Sequence, residues 1–374
     1  MVRIPDVSQK TDVFVVGGGP AGLASAIAMR RQGLSVTVAD VFHPPIDKAC
    51  GEGLMPDSLA ELCELGIQLD GMDTAEFCGV RFIGEAGSVE AEFPRGSGIG
   101  IRRTLLHQAL VDRARDAGVT MLWGARVSAV RDGAVLVDGR RIASRWIVGA
   151  DGENSQVRRW AGLTASREFD RRIGMRQHFA LEPWSKYVEI YWGEHSQAYV
   201  TPVAAREVCV AMVARRPSLF QSALEEFPQL RARLGTAPAA IDAKGAVTVT
   251  RKLKSVARGR FALVGEASGS TDAITGEGLA MSFRQALALA RAVAGEDISR
   301  YQAAHDDIRR LPHLMGRSML LMDKSAWIRR HALRALAAKP GLFQRMLAVN
   351  VGELPLLKFA IPGLLDLSWG MLTA

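Results

Sequence analysis

Three glycines near the amino terminus have the spacing of a phosphate-binding turn. Gly17, Gly19 and Gly22 follow the apolar run Val13 to Val16 in the order G-x-G-x-x-G. The first permits a tight turn, the second lets a pyrophosphate approach the backbone, and the third lets a helix pack closely on the strand. A helical pattern from Ala21 to about Arg31 follows, and its N-terminus offers free N–H groups to an anion. The spacing predicts a nucleotide pyrophosphate site.

An acidic residue supports a nucleotide at this turn. A second apolar strand, Leu34 to Ala39, ends in Asp40. In dinucleotide-binding folds a carboxylate about 20 residues after the glycines holds the adenosine ribose. Glycine-rich strand–helix turns also occur without a nucleotide, and Asp40 favours the nucleotide.

Arg176 and His178 are the candidate catalytic residues. They are two positions apart on a predicted strand, so they share one face of it. Together with Tyr187, Glu189 and Tyr191 they could line a substrate pocket or deprotonate a phenol. The alternative is a solvated strand face.

Composition excludes several classes of protein. The chain has 374 residues, of which 48% are hydrophobic and 23% charged, as in globular enzymes with two joined domains. The net charge of +8 comes without a Lys/Arg block interleaved with aromatics, so no nucleic-acid partner is expected. Met1 to Lys10 has no apolar signal core and no apolar run reaches 18 residues, so no membrane span is expected.

The cysteines and histidines do not have metal-site spacing. Cys50, Cys63, Cys78 and Cys209 include no C-x-x-C pair, and no histidine completes a zinc motif. No metal is therefore expected. Free thiols indicate a reducing, cytoplasmic location.

Strand-like segments alternate between two styles along the chain. Continuous apolar strands of a parallel sheet begin near residues 13, 34 and 146, and another at Arg260 feeds a helix near Gly276 to Val293. Alternating strands of an antiparallel sheet occupy 77–101 and 170–214. This order predicts a dinucleotide-binding domain into which a sheet domain is inserted, and the chain from Ser299 onwards is mostly helical.

Two further motifs complete a family pattern. One is Ile147-Val-Gly-Ala-Asp-Gly, continuing to Arg159, and the other is Gly259 to Gly269 followed by Asp272 to Leu279. With the glycine turn, they resemble the three fingerprints of class A FAD-dependent monooxygenases, which have the para-hydroxybenzoate hydroxylase fold. The resemblance covers roughly residues 11–295.

The resemblance implies an α/β fold with three parts. A Rossmann-like, three-motif FAD-binding domain would comprise residues 1–76, 102–168 and 256–298. An inserted antiparallel β-sheet substrate domain would comprise 77–101 and 169–255, and a C-terminal helical region 299–374.

The family's cofactor contacts transfer to matching positions. The glycine turn would hold the FAD pyrophosphate and Asp40 the ribose, while Arg103 would lie against FAD and the Val127 backbone would contact adenine. Asp151 belongs to the motif that serves both FAD and the nicotinamide cofactor, Glu266 would face the ribityl chain, and the loop from Gly276 would offer N–H groups to the flavin ring. The implied cofactor-binding set is Gly17, Gly19, Pro20, Ala21, Gly22, Asp40, Arg103, Val127, Asp151, Glu266, Gly276, Gly278 and Leu279.

The chain departs from the hydroxylase pattern at several positions. Glu266 replaces the usual aspartate, and Ala273 stands where a proline is usual. The string from Cys50, Cys-Gly-Glu-Gly-Leu-Met-Pro, and the later Gly-Glu-Gly-Leu are similar to geranylgeranyl reductases and halogenases, although the halogenase Trp-x-Trp-x-Ile-Pro motif is absent. Leu333 to Glu353 is similar to tailoring flavoproteins found with polyketide synthases. Cys50 could contact the flavin or link to it, or be a small packed residue.

The resemblance implies an FAD-dependent monooxygenase of secondary metabolism. It would use NADH or NADPH as a transient electron donor and O₂ to hydroxylate a hydrophobic, aromatic or polyketide-like small molecule. The alternatives are an FAD-dependent reductase of isoprenoid double bonds, a flavoprotein that modifies a peptide or carrier-bound substrate, and a non-catalytic prenyl-protein binding module.

The leucine-, methionine- and arginine-rich stretch Met315 to Asn350 has two interpretations. It could lie on a membrane or admit an apolar substrate. Alternatively, it forms an amphipathic helix pair that packs against the flavin domain. The sequence does not predict the oligomeric state.

Overall fold

The computed structural model describes residues 10–85, 87–131, 133–216, 220–356 and 358–359. The strands are β1 Lys10–Val16, β2 Val36–Asp40, β3 Gly53–Leu54, β4 Thr74–Phe77, β5 Gly79–Gly84, β6 Gly87–Glu92, β7 Gly98–Ile101, β8 Thr120–Trp123, β9 Val127–Arg131, β10 Ala134–Val137, β11 Arg140–Gly149, β12 Ser166–Phe179, β13 Tyr187–Trp192, β14 Ser196–Ala204, β15 Glu207–Ala214, β16 Lys244–Leu253, β17 Ala257–Arg258, β18 Phe261–Leu263 and β19 Gly269–Ser270. The α-helices are α1 Pro20–Arg31, α2 Pro56–Glu64, α3 Arg103–Asp116, α4 Gln156–Trp160, α5 Phe220–Leu224, α6 Pro228–Leu234, α7 Gly278–Ala294, α8 Ser299–Lys324, α9 Ala326–Ala338 and α10 Pro340–Asn350.

A largely parallel sheet carries the glycine turn. Its order is β17-β18-β11-β1-β2-β8; the five strands from β18 to β8 run parallel, and β10 and β9 extend β11 antiparallel. The strand β1 is apolar from Val13 to Val16 because both of its faces are buried. Helix α1 packs against α7 and α3, which covers one face of this sheet.

A second sheet is inserted between the strands of the first. Its order is β19-β16-β12-β15-β14-β13-β5-β6, and all of its pairings are antiparallel except that of β13 with β5. A small sheet, β3-β7-β4, accompanies it. The predicted α/β class with an inserted antiparallel sheet is confirmed. The domain boundaries stay a prediction, and their ends at 1–9 and 360–374 lie outside the described residues.

The C-terminal helices divide their packing between the two sheets. Helix α8 packs on α7, whereas α9 and α10 pack on β5 and β6. Leu333, Phe343 and Leu347 join Phe82 and Val89 in one apolar cluster. The expected helix pair therefore exists, but it lies mainly on the inserted sheet rather than on the flavin domain.

Part of the C-terminal helical surface is apolar and exposed. Leu314, Leu321 and Trp327 are exposed, and Arg310 and Arg317 lie on the same stripe of α8 as the two leucines. Contact of this surface with a membrane stays a prediction. None of the described helices has the length and hydropathy needed to cross a bilayer.

Candidate functional site

Four strands of the parallel sheet end at one cavity. The glycine turn follows β1, Asp40 closes β2, Asp151 follows β11 and Gly265 follows β18. Their loops line a cavity of about 620 Å³. The carboxyl edge of a parallel sheet is where nucleotides bind in open α/β folds.

The glycine turn is tight at two positions and open at the third. Gly17 has φ +108°, and a Cβ there would lie 2.3 Å from the Ala150 carbonyl oxygen. A Cβ on Gly22 would lie 1.9 Å from the Gly17 oxygen. A Cβ on Gly19 would meet nothing within 4 Å, because this position faces the cavity. The first and third glycines therefore close the turn, and Gly19 leaves room for a ligand.

The turn is held in place before any ligand binds. The Asp40 carboxylate accepts hydrogen bonds from the Gly18 and Phe42 backbone N–H groups, at 2.7 and 2.8 Å. His107 lies beneath the turn, and its Nε2 is 2.8 Å from the Gly18 carbonyl oxygen. Burial lowers the pKa of His107, so the ring is neutral and donates its Nε2 proton to that oxygen. Each Asp40 oxygen keeps a further lone pair for a ribose hydroxyl.

Arg103 presents an unsatisfied positive group to the cavity. It begins α3, and its backbone N–H donates to Glu52 Oε1 at 2.9 Å. Its side-chain Nε is buried and has no hydrogen-bond partner within the described part of the chain. A buried donor without an acceptor is costly. An anionic ligand at this position would remove that cost.

Two further loops bring an acidic side chain to the cavity, and β9 contributes to its wall. Asp151 accepts from Ser155 Oγ at 2.5 Å and from the Gln156 N–H at 2.6 Å, so it also fixes the start of α4. Glu266 lines the cavity and pairs with Lys48 at 2.5 Å, with both side chains half-exposed. Val127, at the first position of β9, lines the adjacent wall.

The loop before α7 resembles the glycine turn in its openness. Gly276 has φ +69°, and a Cβ on it or on Gly278 would meet nothing within 4 Å. Helix α7 begins at Gly278, so its free N–H groups and partial positive charge face the cavity, where Leu279 also lies.

These donors and open positions fit a dinucleotide flavin. A diphosphate would lie against the N-terminus of α1, beside Pro20 and Ala21, and relieve the Arg103 Nε. A ribose would face Asp40, and the flavin ring would face the N-terminus of α7. The roles of individual residues stay predictions.

A comparison with protein families decides the class of this chain. The family model described as "FAD binding domain" matches residues 10–296. The chain belongs to this FAD-binding family. The predicted FAD cofactor and the class A flavoprotein superfamily are thereby confirmed, and the chain is an FAD-dependent oxidoreductase by family.

Relatives of the chain include both reductases and monooxygenases. It is 28% identical over 323 residues to "Menaquinone reductase" of Mycobacterium tuberculosis, covering 79% of each chain. It is 34% identical over 186 residues to "6-methylpretetramide 4-monooxygenase" of Streptomyces rimosus, covering 44% of each. A solved flavoprotein/dehydrogenase from Cytophaga hutchinsonii has 16% identity and a TM-score of 0.80, covering 92% of this chain and 93% of that chain, which shows the fold alone.

The cavity at the carboxyl edge of the parallel sheet is called the FAD cavity from here on, after the cofactor of the family. It continues into an apolar chamber beneath the inserted sheet. Phe77, Val80, Val188, Ile190 and Val249 line it. Their side chains carry no hydrogen-bonding groups, so the chamber suits an apolar or aromatic molecule.

The chamber is lined by the opposite face of β13 from the one predicted. Side chains alternate along a strand, so Val188 and Ile190 point to the cavity while Tyr187, Glu189 and Tyr191 point away. Glu189 is fully buried on that other face. It pairs with Arg81 at 3.0 Å and Arg233 at 3.2 Å, and it accepts from Trp184 Nε1 and the Tyr191 hydroxyl. This face is a structural ion-pair core.

Arg176 and His178 are brought together, but inside the protein. Both are 1% exposed, so the solvated-face alternative is wrong, and neither lines the FAD cavity. Arg176 pairs with Asp47 at 2.5 Å, and His178 Nε2 lies 2.5 Å from Glu52 Oε2. Glu52 itself lines the cavity and has φ +58°. The Arg176–His178 pair therefore anchors the loop around Glu52. Its catalytic role stays a prediction, and neither side chain lines the cavity.

The same network contains the ligand types of a metal site. Ligand atoms of Glu52, His178 and Cys209 lie within 4.8 Å of one another and are buried. Arg176 Nη1 lies 3.5 Å from Glu52 Oε1 and supplies positive charge to the same carboxylate. A cation placed there would be repelled by that guanidinium.

Cys50 lies on the cavity wall. It lines the FAD cavity and is half-buried, and its Sγ accepts a hydrogen bond from the Glu52 N–H at 3.4 Å. Both expectations for Cys50, flavin contact and packing in the loop, stay predictions.

Several residues of the site were not predicted from the sequence. Lys48 reaches Glu266 across 218 positions, and no motif marks it. Arg172 is 2% exposed and pairs with Asp272, at 3.0 Å, and with Asp323 of α8, at 3.5 Å. It thereby ties the flavin loop to the C-terminal helices. Glu277 lies within the Gly-Glu-Gly-Leu string, and an acid between two glycines was the signal that could have identified it as a site residue.

Proposed function

We propose that this protein is an FAD-dependent monooxygenase that uses NADH or NADPH and O₂ to hydroxylate an aromatic or polyketide-like molecule with apolar substituents. The supporting observation is the single cavity in which the FAD-binding loops open directly into the chamber at Phe77, Val188 and Ile190. FAD, when bound, supplies the hydride acceptance and the oxygen activation that side chains cannot perform.

The chain's own residues bind, orient and exclude water. The apolar walls at Val80, Val188 and Val249 would hold the substrate by burial, at roughly 25 cal/mol per Å² of apolar area. The same walls would exclude water from the reacting atoms. The N-terminus of α7 would stabilise negative charge on the neighbouring edge of the cofactor.

A reductase of isoprenoid double bonds is the second candidate. The menaquinone reductase relative covers 79% of both chains, whereas the monooxygenase relative covers 44%. The apolar chamber would accept an isoprenoid chain as readily as an alkylated aromatic ring.

Oxygen labelling separates the two candidates. The holoprotein is supplied with NADH or NADPH and with two substrate sets, alkyl-substituted phenols and isoprenoid quinones, under ¹⁸O₂. A monooxygenase consumes one O₂ per product and incorporates one labelled atom. Conversion that proceeds without O₂ and leaves no label would overturn the monooxygenase and favour the reductase.

A chamber variant tests whether substrate binds where proposed. Val188→Trp places a large ring in the chamber, away from the glycine turn. We expect an unchanged FAD content and a KM for the substrate raised about tenfold or more. Tyr187→Trp, on the opposite face of β13, is the matched control. Equal effects of the two variants on KM would contradict the chamber assignment.

A further inference from the structure

A buried acid lies within the loop that begins α7. Glu277, between Gly276 and Gly278, is 3% exposed and lines the cavity. Its Oε2 has no hydrogen-bond partner among residues 10–359 as far as they are described. Burying a carboxylate oxygen without a donor is expensive, and adding a proton removes most of the cost.

Two further acids lie behind Glu277 on α2. Arg284 of α7 donates its Nε to Glu61 Oε1 at 2.5 Å and its Nη2 to Asp57 Oδ2. Asp57 Oδ1 and Glu61 Oε2 are also buried and unpartnered in the described structure. Three carboxyl groups thus share one guanidinium, so full ionisation would leave two negative charges uncompensated in a buried place.

The surroundings of Glu277 make protonation the favoured state. Asp57 of α2 adds repulsion, while Arg284 of α7 and a hydrogen bond from Asn350 of α10 oppose it. Burial dominates, and it raises the pKa of Glu277 to about 8 and that of Glu61 to about 7. At neutral pH the cluster therefore holds at least one proton next to the FAD loop.

The acids also form a gradient of exposure from the cavity to the surface. Glu277 is buried at the cavity, and Glu61 is half-buried on the far side of Arg284. Glu64, one turn later on α2, is 49% exposed and pairs with Arg291. Glu277 lines the cavity, whereas Asp57, Glu61 and Glu64 do not.

We propose that Glu277 supplies the proton that each turnover consumes, and that its carboxylate is reprotonated from the cavity that it lines. The inference rests on the proposed oxidoreductase function and holds for either candidate reaction, because both consume one hydride from NAD(P)H and one proton. The Glu277 O–H bond breaks; its proton completes the water that carries the second oxygen atom, or becomes the second hydrogen added to a double bond. The carboxylate then takes a proton from water in the cavity.

The test compares Glu277→Gln with Glu61→Gln and uses Glu64→Gln as the matched surface control. Infrared spectra of the substrate-free protein at pH 7 report the carbonyl band of protonated carboxylic acids. We expect Glu277→Gln to lose part of this band, to keep its FAD, and to lower kcat at least tenfold with little change in KM. We expect Glu61→Gln also to lose part of this band but to keep a near wild-type kcat, because Glu61 does not line the cavity. Glu64→Gln should change none of these values.

Glu277→Asp distinguishes a loss of the acid from a structural effect of the substitution, because it keeps the carboxyl group and shortens the side chain by one methylene. It should restore part of the kcat lost in Glu277→Gln. An unchanged carbonyl band in Glu277→Gln, or wild-type kcat and pH profile in that variant, would overturn the inference. Failure of the proposed function has a different signature, namely absence of turnover in the wild-type protein.

Discussion

Gly19 and Gly22 are expected to respond in opposite ways to the same substitution. Gly19→Val places its side chain in open cavity, whereas Gly22→Val drives a Cβ to within 1.9 Å of a backbone oxygen. The first variant should therefore fold and fail to bind FAD. The second should disturb the protein whether or not FAD is present.

The structure sets the size of each effect. Gly19 is the N-cap of α1 and has φ −70°, which valine adopts freely, so only the poorer cap costs stability, at about 1 kcal/mol. For FAD, valine displaces a diphosphate from the helix N-terminus. Losing two charge-assisted hydrogen bonds, each worth roughly 1.5–3 kcal/mol, raises Kd about a hundredfold or more. For Gly22→Val, backbone displacement should cost roughly 4 kcal/mol or more.

Calorimetry and titration measure the two effects separately. The Tm is measured on protein stripped of FAD, and FAD affinity is measured by quenching of flavin fluorescence. Gly19→Val should show a near-normal apoprotein Tm and a lost affinity, and Gly22→Val a lowered apoprotein Tm. Retention of FAD affinity within threefold by Gly19→Val, or an equal loss of apoprotein stability in both variants, would refute the reasoning.

Three further predictions concern charged groups at the site. The pKa of Glu277 is raised from 4.5 to about 8 on folding, so its contribution to stability is present below pH 4.5 and is lost as pH rises towards 8. Glu277→Gln should therefore raise the free energy of unfolding by about 3 kcal/mol at pH 7 and by little at pH 4.5. Urea denaturation measures this difference, and a difference that does not change with pH would contradict the prediction. Arg103→Ala should weaken FAD binding about tenfold or more without lowering apoprotein stability, because its Nε has no partner to lose in the described structure; a lowered apoprotein Tm would argue for a structural role. Glu266→Ala should raise the FAD Kd about tenfold and Glu266→Asp less, whereas the half-exposed pair with Lys48 adds at most about 1 kcal/mol of stability; equal Kd values for wild type and both variants would remove Glu266 from the site.

The loops that line the cavity at the carboxyl edge of the parallel sheet were predictable because their signals are local. The glycine turn, the strand ending in Asp40 and the strand before Asp151 each combine an apolar run with a following glycine or acid. A buried parallel strand must read as a continuous apolar run, and its loop must emerge at the carboxyl edge. Four such loops meet in the structure because the strands are neighbours in one sheet.

The residues behind the site were not predictable in the same way. The alternation of β13 was correct, but the alternation alone does not tell which face meets the cavity and which meets α6. Arg176 and His178 were singled out as polar residues on one face, and partners at Asp47 and Glu52, far away in sequence, bury them. Pairings over such distances are set by tertiary packing, which leaves no periodic trace in the chain.

The interruption of the parallel sheet has a consequence for biosynthesis. Strand β11 ends at Gly149, and its neighbour β18 begins only at Phe261, after every strand of the inserted sheet except β19 has been made. A nascent chain therefore displays the glycine turn long before the ribosome delivers the loop at Gly276. FAD is not expected to guide early folding, since the contacts predicted at Glu266, Gly276, Gly278 and Leu279 do not yet exist. A messenger truncated before that codon is expected to yield a polypeptide that does not retain FAD, since it also lacks α7, on which α1 packs.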